Sequence, residues 1–196
     1  MSNPTTTRRD GEATRQRLLR AALDLYTTIG FRATTTPAIA ARAGVAEGTI
    51  YRHFSGKEHL LNEVYRSAQR WGASLVKEPN GHRSVSERLT GIARRLLEAA
   101  SRDPSLTRML LRNREEQHLD ERSREAAREF RQSLRQVVAG GESEGVVRTG
   151  PIELWTDVWL ALVAFAAERV GAREWESESP QIGLTLDAAW DAIAAR

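Results

Sequence analysis

The sequence predicts an all-α chain, with three N-terminal helices in a helix-turn-helix arrangement ahead of a larger helical domain. Three observations lead there. Apolar residues recur at helical spacing through most of the 196 residues, as a buried helix face requires. No run of alternating apolar and polar residues bounded by turns calls for a strand. Two short helical stretches, "TPAIAARA" and "AEGTIYRH", lie either side of Gly44 and Val45, the pattern of a helix-turn-helix.

The first helix is expected over Glu12 to Ile29, with Leu18, Ala22, Leu25 and Ile29 as its stripe, Leu19 and Tyr26 widening it, and Gly30 ending it. Residues 1–11, "MSNPTTTRRDG", carry no apolar core and read as a flexible arm rather than a secretory signal. "TTTP" then supplies hydroxyl caps and a proline suited to a first helical turn, which puts a second helix at Thr36 to Ala43 with Thr35 as its cap. Gly44 can adopt the left-handed conformation that turns the chain sharply. A third helix is expected from Ala46 to His53, anchored by Val45 and Ile50. Its remaining face would be free, and its N-terminal N–H groups would suit phosphate and groove edges. A fourth opens after "FSG", with Ser55 as cap, and continues through Leu60, Leu61, Val64 and Tyr65 toward Leu75.

"VKEPNGHRS" breaks the pattern at Pro79, Asn80 and Gly81. Helices are then expected at Val85 to Ala100, Leu106 to Arg114 and Glu121 to Val138. "AGGESEGVVRTGP" reads as the clearest loop, followed by helices at Ile152 to Val170 and Gln181 to Ala194.

Composition narrows the function classes. With no cysteine, disulfides and thiolate metal sites are excluded, and a reducing, cytoplasmic setting is expected. The longest apolar run, Val158 to Ala167, is far shorter than the roughly 20 residues of a membrane helix, so a soluble protein without a membrane partner is expected. The formal charge is +3, unevenly spread: residues 1–60 hold nine basic against five acidic residues, and residues 61–196 hold 20 against 21. A basic N-terminal third suggests a polyanionic partner.

The stretch "RQRLLRAALDLYTTIGFRATTTPAIAARAGVAEGTIYRHFSGKEHLLNEVY", Arg15 to Tyr65, closely resembles the TetR family of bacterial transcriptional regulators. The resemblance implies a helix-turn-helix DNA-binding domain at residues 12–57 and a helical regulatory and dimerisation domain at 58–196. It implies a homodimer on a palindromic operator of double-stranded DNA, most often a repressor released by a small-molecule effector. Carried over position by position, base-edge or groove contacts fall near Glu47, Gly48 and Arg52, and phosphate contacts at Thr35, Thr49, Tyr51, His53 and Lys57. Glu47 departs from the family, where lysine is frequent. A carboxylate there would repel phosphate or accept from a cytosine amine. By residue type alone, Tyr51 could cap a small core, Lys57 and Arg52 could be solvated charges, His53 a packed histidine, and Gly48 a surface glycine costing about 1 kcal/mol against alanine.

The remaining candidates are weaker. His59, His82 and His118 have no cysteine partners and no zinc spacing, so no metal or cofactor is expected. "RNREEQH" reads as a solvated helical face. The apolar density of the last two helices suggests a dimer seam that includes Trp155, Trp159, Leu162 and Trp190, although a monomer core would use the same residues. The resemblance implies an effector pocket among the helices of residues 85–138. Its lining is not legible, and Arg112, Arg114 and Arg128 could meet an anion or simply be solvated. An activator of the same fold, a nonspecific architectural DNA protein and an all-helical enzyme are the competing readings. The enzyme would need a convergent titratable set, which the sequence does not offer.

Overall fold

The computed structural model describes residues 4–77, 84–112, 116–176 and 178–195. In order along the chain lie α1 (Pro4–Thr28), α2 (Thr36–Ala43), a 3-10 turn (Glu47–Thr49), α3 (Ile50–His53), α4 (Lys57–Lys77), α5 (Val85–Arg102), α6 (Pro104–Arg112), a second 3-10 turn (Glu116–His118), α7 (Glu121–Ser143), α8 (Ile152–Gly171) and α9 (Pro180–Asp191). Among the described residues, the only β pairing is an isolated bridge between Val147 and Ala194, and no helix is long and apolar enough to cross a membrane. The chain divides into two compact units, Met1–Ser67 with Asn113–Arg124, and Ala68–Arg112 with Glu125–Arg196. The division falls inside both α4 and α7.

In the first unit, Leu18 and Ala22 of α1, Ile39 of α2, Ile50 of α3 and Leu60 and Leu61 of α4 are fully buried. They form the single apolar core that a helix-turn-helix needs. The α2 bounds follow from local chemistry. Thr35 Oγ1 accepts from the Ala38 amide at 3.3 Å, and Gly44 takes φ 66°. The Gly44 and Val45 amides donate back to Ala41 and Ala40, at 3.1 and 3.0 Å, closing a Schellman motif.

In the second unit α5 packs against α6, α8 and α9, burying Leu89, Ile92, Leu96 and Leu97. Ser84 and Glu87 cap α5 reciprocally, satisfying orphan amides of its first turn. The Arg148 and Ala195 amides donate to the Ile193 and Val146 carbonyls at 2.9 and 3.0 Å, tying the loop before α8 to the end of the chain.

Several boundaries differ from the sequence expectation. Residues 4–11 form the opening turns of α1 rather than a flexible arm, for no proline interrupts them and Pro4 suits a first turn; residues 1–3 lie outside the described residues. Ile29 is exposed, because α1 ends at Thr28 and the turn into Gly30 carries it off the core face. The third helix begins as a 3-10 turn, a common form for a helix start. Ser55, expected to cap α4, directs its amide and hydroxyl to the His59 ring at 3.2 and 3.4 Å. The expected break at Pro79, Asn80 and Gly81 lies outside the described residues, as do His82 and Arg114. α9 stops at Asp191, since the residues beyond it turn to pair with residues 146–148.

The largest difference is in α7, which continues through Ala139, Gly140 and Gly141 where a loop was expected. Tertiary packing overrides helix propensity here. A Cβ on Gly141 would lie 2.6 Å from Val147 Cγ2 and 2.9 Å from Val85 Cγ1, both on stiff, buried side chains, whereas Gly140 faces open space. The two glycines therefore predict opposite outcomes. In urea denaturation, Gly140→Ala raises stability by about 0.5–1 kcal/mol through helix propensity, and Gly141→Ala lowers it by about 1–3 kcal/mol through overpacking.

Candidate nucleic-acid interface

Burial sorts the residues of the 3-10 turn and α3 into two faces. Ile50 and Phe54 are buried, four residues apart, and fix the segment to the core. Glu47, Gly48, Tyr51 and Arg52 are exposed, and Thr49 and His53 are half-buried. Tyr51 is 58% exposed, so its ring does not cap a core. A Cβ on Gly48 would meet nothing within 4 Å, which leaves the backbone there open to close approach. Thr35, also exposed, stands at the head of α2.

Thr36 is a member of this surface that sequence reasoning missed. Its Oγ1 lies 3.4 Å from the Tyr51 hydroxyl, joining the start of α2 to the outward face of α3. The available signal was the run of three threonines, of which only one can cap the helix. Together the surface offers hydroxyls, a guanidinium and an imidazole, groups able to donate to phosphate oxygens or base edges.

Lys57, expected as a phosphate contact, is also held within the unit. Its ammonium donates to the carbonyls of Phe31 and Thr34, both at 3.2 Å, and sits 4.5 Å from the centre of the Phe31 ring. Two of its three protons are thus spent inside the unit, and one is left for a phosphate. The Tyr26 hydroxyl donates to the Lys57 carbonyl at 2.7 Å, and burial pushes the Tyr26 pKa upward. Thr34, fully buried, donates to the Gly30 carbonyl at 2.7 Å. The link between α1 and α2 is therefore tied down from both sides.

Residues 118–123 are held against α4 by a polar network within the same unit. The Asn62 amide nitrogen donates to the carbonyls of Glu58 and His118, both at 2.9 Å. Its oxygen accepts from the Asp120 amide at 2.8 Å and the Ser123 hydroxyl at 2.6 Å. Arg66, nearly buried, donates to Asp120, Ser123 and Glu63, and Arg15 reaches Glu63 at 2.5 Å. The His118 ring packs 4.4 Å from that of Phe31 and lies 3.1 Å from Glu58. Burial works against ionisation of Glu63, but the hydrogen bonds and charge of Arg66 and Arg15 outweigh it and hold its pKa below the ordinary value. Burial likewise opposes the Asp120 charge, and donation from Ser123 and Arg66 prevails, again lowering the pKa.

In the second unit the expected seam residues separate. Trp159 is 2% exposed within a single subunit and belongs to its core, which removes it from any dimer surface. Trp155, Leu162 and Trp190 are half-buried, Trp155 beneath the Arg148 guanidinium at 5.2 Å. Among the described residues of this unit, the exposed large apolar side chains are Val146 before α8, Leu154 and Phe165 on α8, and Leu184 on α9, the last 69% exposed. Leu154, Ala161 and Phe165 recur at helical spacing on one face.

Residues 18–64 match the family model described as bacterial regulatory proteins, tetR family. The matched stretch is the core and outward face just described. A putative TetR-family regulator from Vibrio parahaemolyticus has a solved structure with TM-score 0.72 and 26% identity, covering 93% of this chain and all of that one. Residues 18–64 are thus a TetR-family N-terminal domain, and the chain as a whole is similar to solved TetR-family structures. A TetR-family structure from Marinobacter aquaeolei superposes with TM-score 0.82 at 21% identity, covering 96% of this chain and all of that one, a likeness of fold. The transcriptional repressor KstR of Rhodococcus jostii is 40% identical over 99 residues, half of this chain and 46% of KstR. This chain thus spans about half the length of that curated relative. An uncharacterised helix-turn-helix regulator of Bacillus subtilis, YvkB, is 28% identical over 155 residues, 76% of this chain and 79% of YvkB.

The network around Arg66 makes a prediction about acid stability. Both carboxylates have folded pKa values below their unfolded values of about 3.9 and 4.3. Their contribution is thus complete above those unfolded values and is lost as pH falls through the lower folded ones. Glu63→Gln with Asp120→Asn should lower the melting temperature by a constant amount above about pH 5, and the gap to the unsubstituted protein should close on acidification below pH 4. An equal gap at pH 3 and pH 7, read by circular dichroism, would contradict this.

Proposed function

We propose that the protein is a repressor that binds a palindromic operator as a homodimer and releases it when a small-molecule effector binds. One observation carries this reading. The 3-10 turn and α3 bury only the residues that anchor them and leave Glu47, Gly48, Tyr51 and Arg52 in solvent, in the stretch that matches the family. The DNA-binding domain is taken as residues 12–57 and the regulatory and dimerisation domain as 58–196. Arg52, Gly48 and Glu47 reach the groove, Glu47 as an acceptor for a cytosine amine. Thr35, Thr36, Thr49, Tyr51 and His53 donate to phosphates, and Lys57 does so with its one remaining proton while positioning the link before α2. KstR is named a repressor, which supports repression over activation.

The dimer forms through α8 and α9, whose exposed Leu154, Phe165 and Leu184 would otherwise face water. A two-fold pair sets two recognition elements about one DNA turn apart. The effector acts by favouring a dimer with another spacing. A 100-fold loss of operator affinity is about 2.7 kcal/mol of coupling, and the operator must weaken effector binding by the same factor.

Selection from random duplexes should recover one palindrome. Arg52→Ala should relax preference at particular positions by about 1–3 kcal/mol, while Tyr51→Phe weakens all duplexes alike. Equal losses on selected and random DNA for Arg52→Ala would place Arg52 on the backbone instead. Leu184→Glu with Phe165→Glu should shift light scattering from dimer toward monomer mass at micromolar concentration, with helical content retained. An unchanged dimer would move the seam elsewhere.

A further inference from the structure

A cavity of about 420 Å³ opens between the C-terminal half of α5, the end of α8 and the start of α9. Its size falls in the range of small-molecule sites. The floor is apolar, made by Leu97, Val170 and Ile182, each buried by its neighbours. The lip is polar: Arg94, Ser101 and an ion pair of Arg102 with Glu98 at 2.5 Å. No carboxylate among the described residues pairs with Arg94, an exposed guanidinium at the mouth. None of these residues belongs to the surface assigned to DNA or to the apolar stripe assigned to the dimer.

We infer that this cavity binds an organic monocarboxylate with an apolar body, the carboxylate on Arg94 and Ser101 and the body against Leu97, Val170 and Ile182. Charge decides the class. Glu98 cancels Arg102, so the lip offers one uncompensated positive charge. A guanidinium fork and a hydroxyl suit a carboxylate's two oxygens. A dianionic phosphate would bring a second negative charge toward Glu98 with nothing to balance it. The body must be apolar because a polar one would leave its groups without partners on the floor. Of the arginines singled out from sequence, Arg128 is exposed on α7 and does not line the cavity, and the Arg112 side chain and Arg114 lie outside the described residues.

The inference goes beyond the regulatory reading, and its test needs no DNA. Decanoate is titrated calorimetrically into the full-length protein, with decan-1-ol as the uncharged control. Decanoate should bind saturably, once per subunit, and decan-1-ol at least tenfold more weakly. Arg94→Glu, a change on an exposed side chain, should weaken decanoate at least tenfold without altering the melting temperature. Ser101→Trp, which blocks the mouth from outside, should do the same. Absence of saturable binding would overturn the inference. Binding unchanged in both variants would do so as well, because the carboxylate would then sit elsewhere. Loss of light-scattering mass in Arg94→Glu would also overturn it, since the cavity would then be a surface between two copies of the chain.

Discussion

The arrangement of the N-terminal unit depends on how Lys57 is held. Its ammonium joins the carbonyls of Phe31 and Thr34, and its own carbonyl receives the Tyr26 hydroxyl. Three parts of the chain, the end of α1, the link to α2 and the start of α4, converge on one residue. A lysine stem can lie along the Phe31 ring while its charge is satisfied by carbonyls, which makes the arrangement far cheaper than burying a bare cation. With the link fixed, Thr35 caps α2, Thr36 meets Tyr51, and Ile50 reaches the core while Tyr51 and Arg52 face outward. The surface proposed to meet DNA is thus set by contacts that lie behind it.

A second fixed point is the Asn62 and Arg66 network, which brings residues 118–123 into the N-terminal unit although they follow α6 in sequence. The Asn62 side chain makes two donations and two acceptances, so none of its capacity is left unmade. Removing one partner would leave a desolvated group, at a cost of about 1–3 kcal/mol. Position 62 and segment 118–123 therefore form or separate together. α4 runs without interruption from Lys57 to Lys77 and enters both units, so it carries this network and the Lys57 contacts on one element.

Local chemistry was the legible part of the sequence. A threonine cap, a first-turn proline and a left-handed glycine gave α2 to the residue, and the helical period placed core residues at Leu18, Ala22, Ile50 and Leu60. Features set by distant packing were not legible. Gly140 and Gly141 read as loop residues, yet Gly141 is required for contact with Val85 and Val147 inside a helix. α8 is apolar on nearly every face, so sequence could not tell that Trp159 turns inward while Leu154 and Phe165 turn outward. Lys57 reads in sequence only as a phosphate contact or a solvated charge, because the carbonyls that bind it lie more than twenty residues away in sequence. Thr36 passed unnoticed for a similar reason, its partner Tyr51 lying in a different element.

The central claim is that the outward face of the 3-10 turn and α3 is what touches DNA, and photocrosslinking tests it most directly. A benzophenone side chain is placed at position 51 in one preparation and at position 184 on α9 in another, each irradiated with a selected duplex at moderate salt. The account predicts a covalent protein–DNA adduct from position 51, mapped to the operator and competed by unlabelled operator, and from position 184 a crosslink to a second copy of the chain. DNA adducts from position 184 with none from position 51 would contradict it.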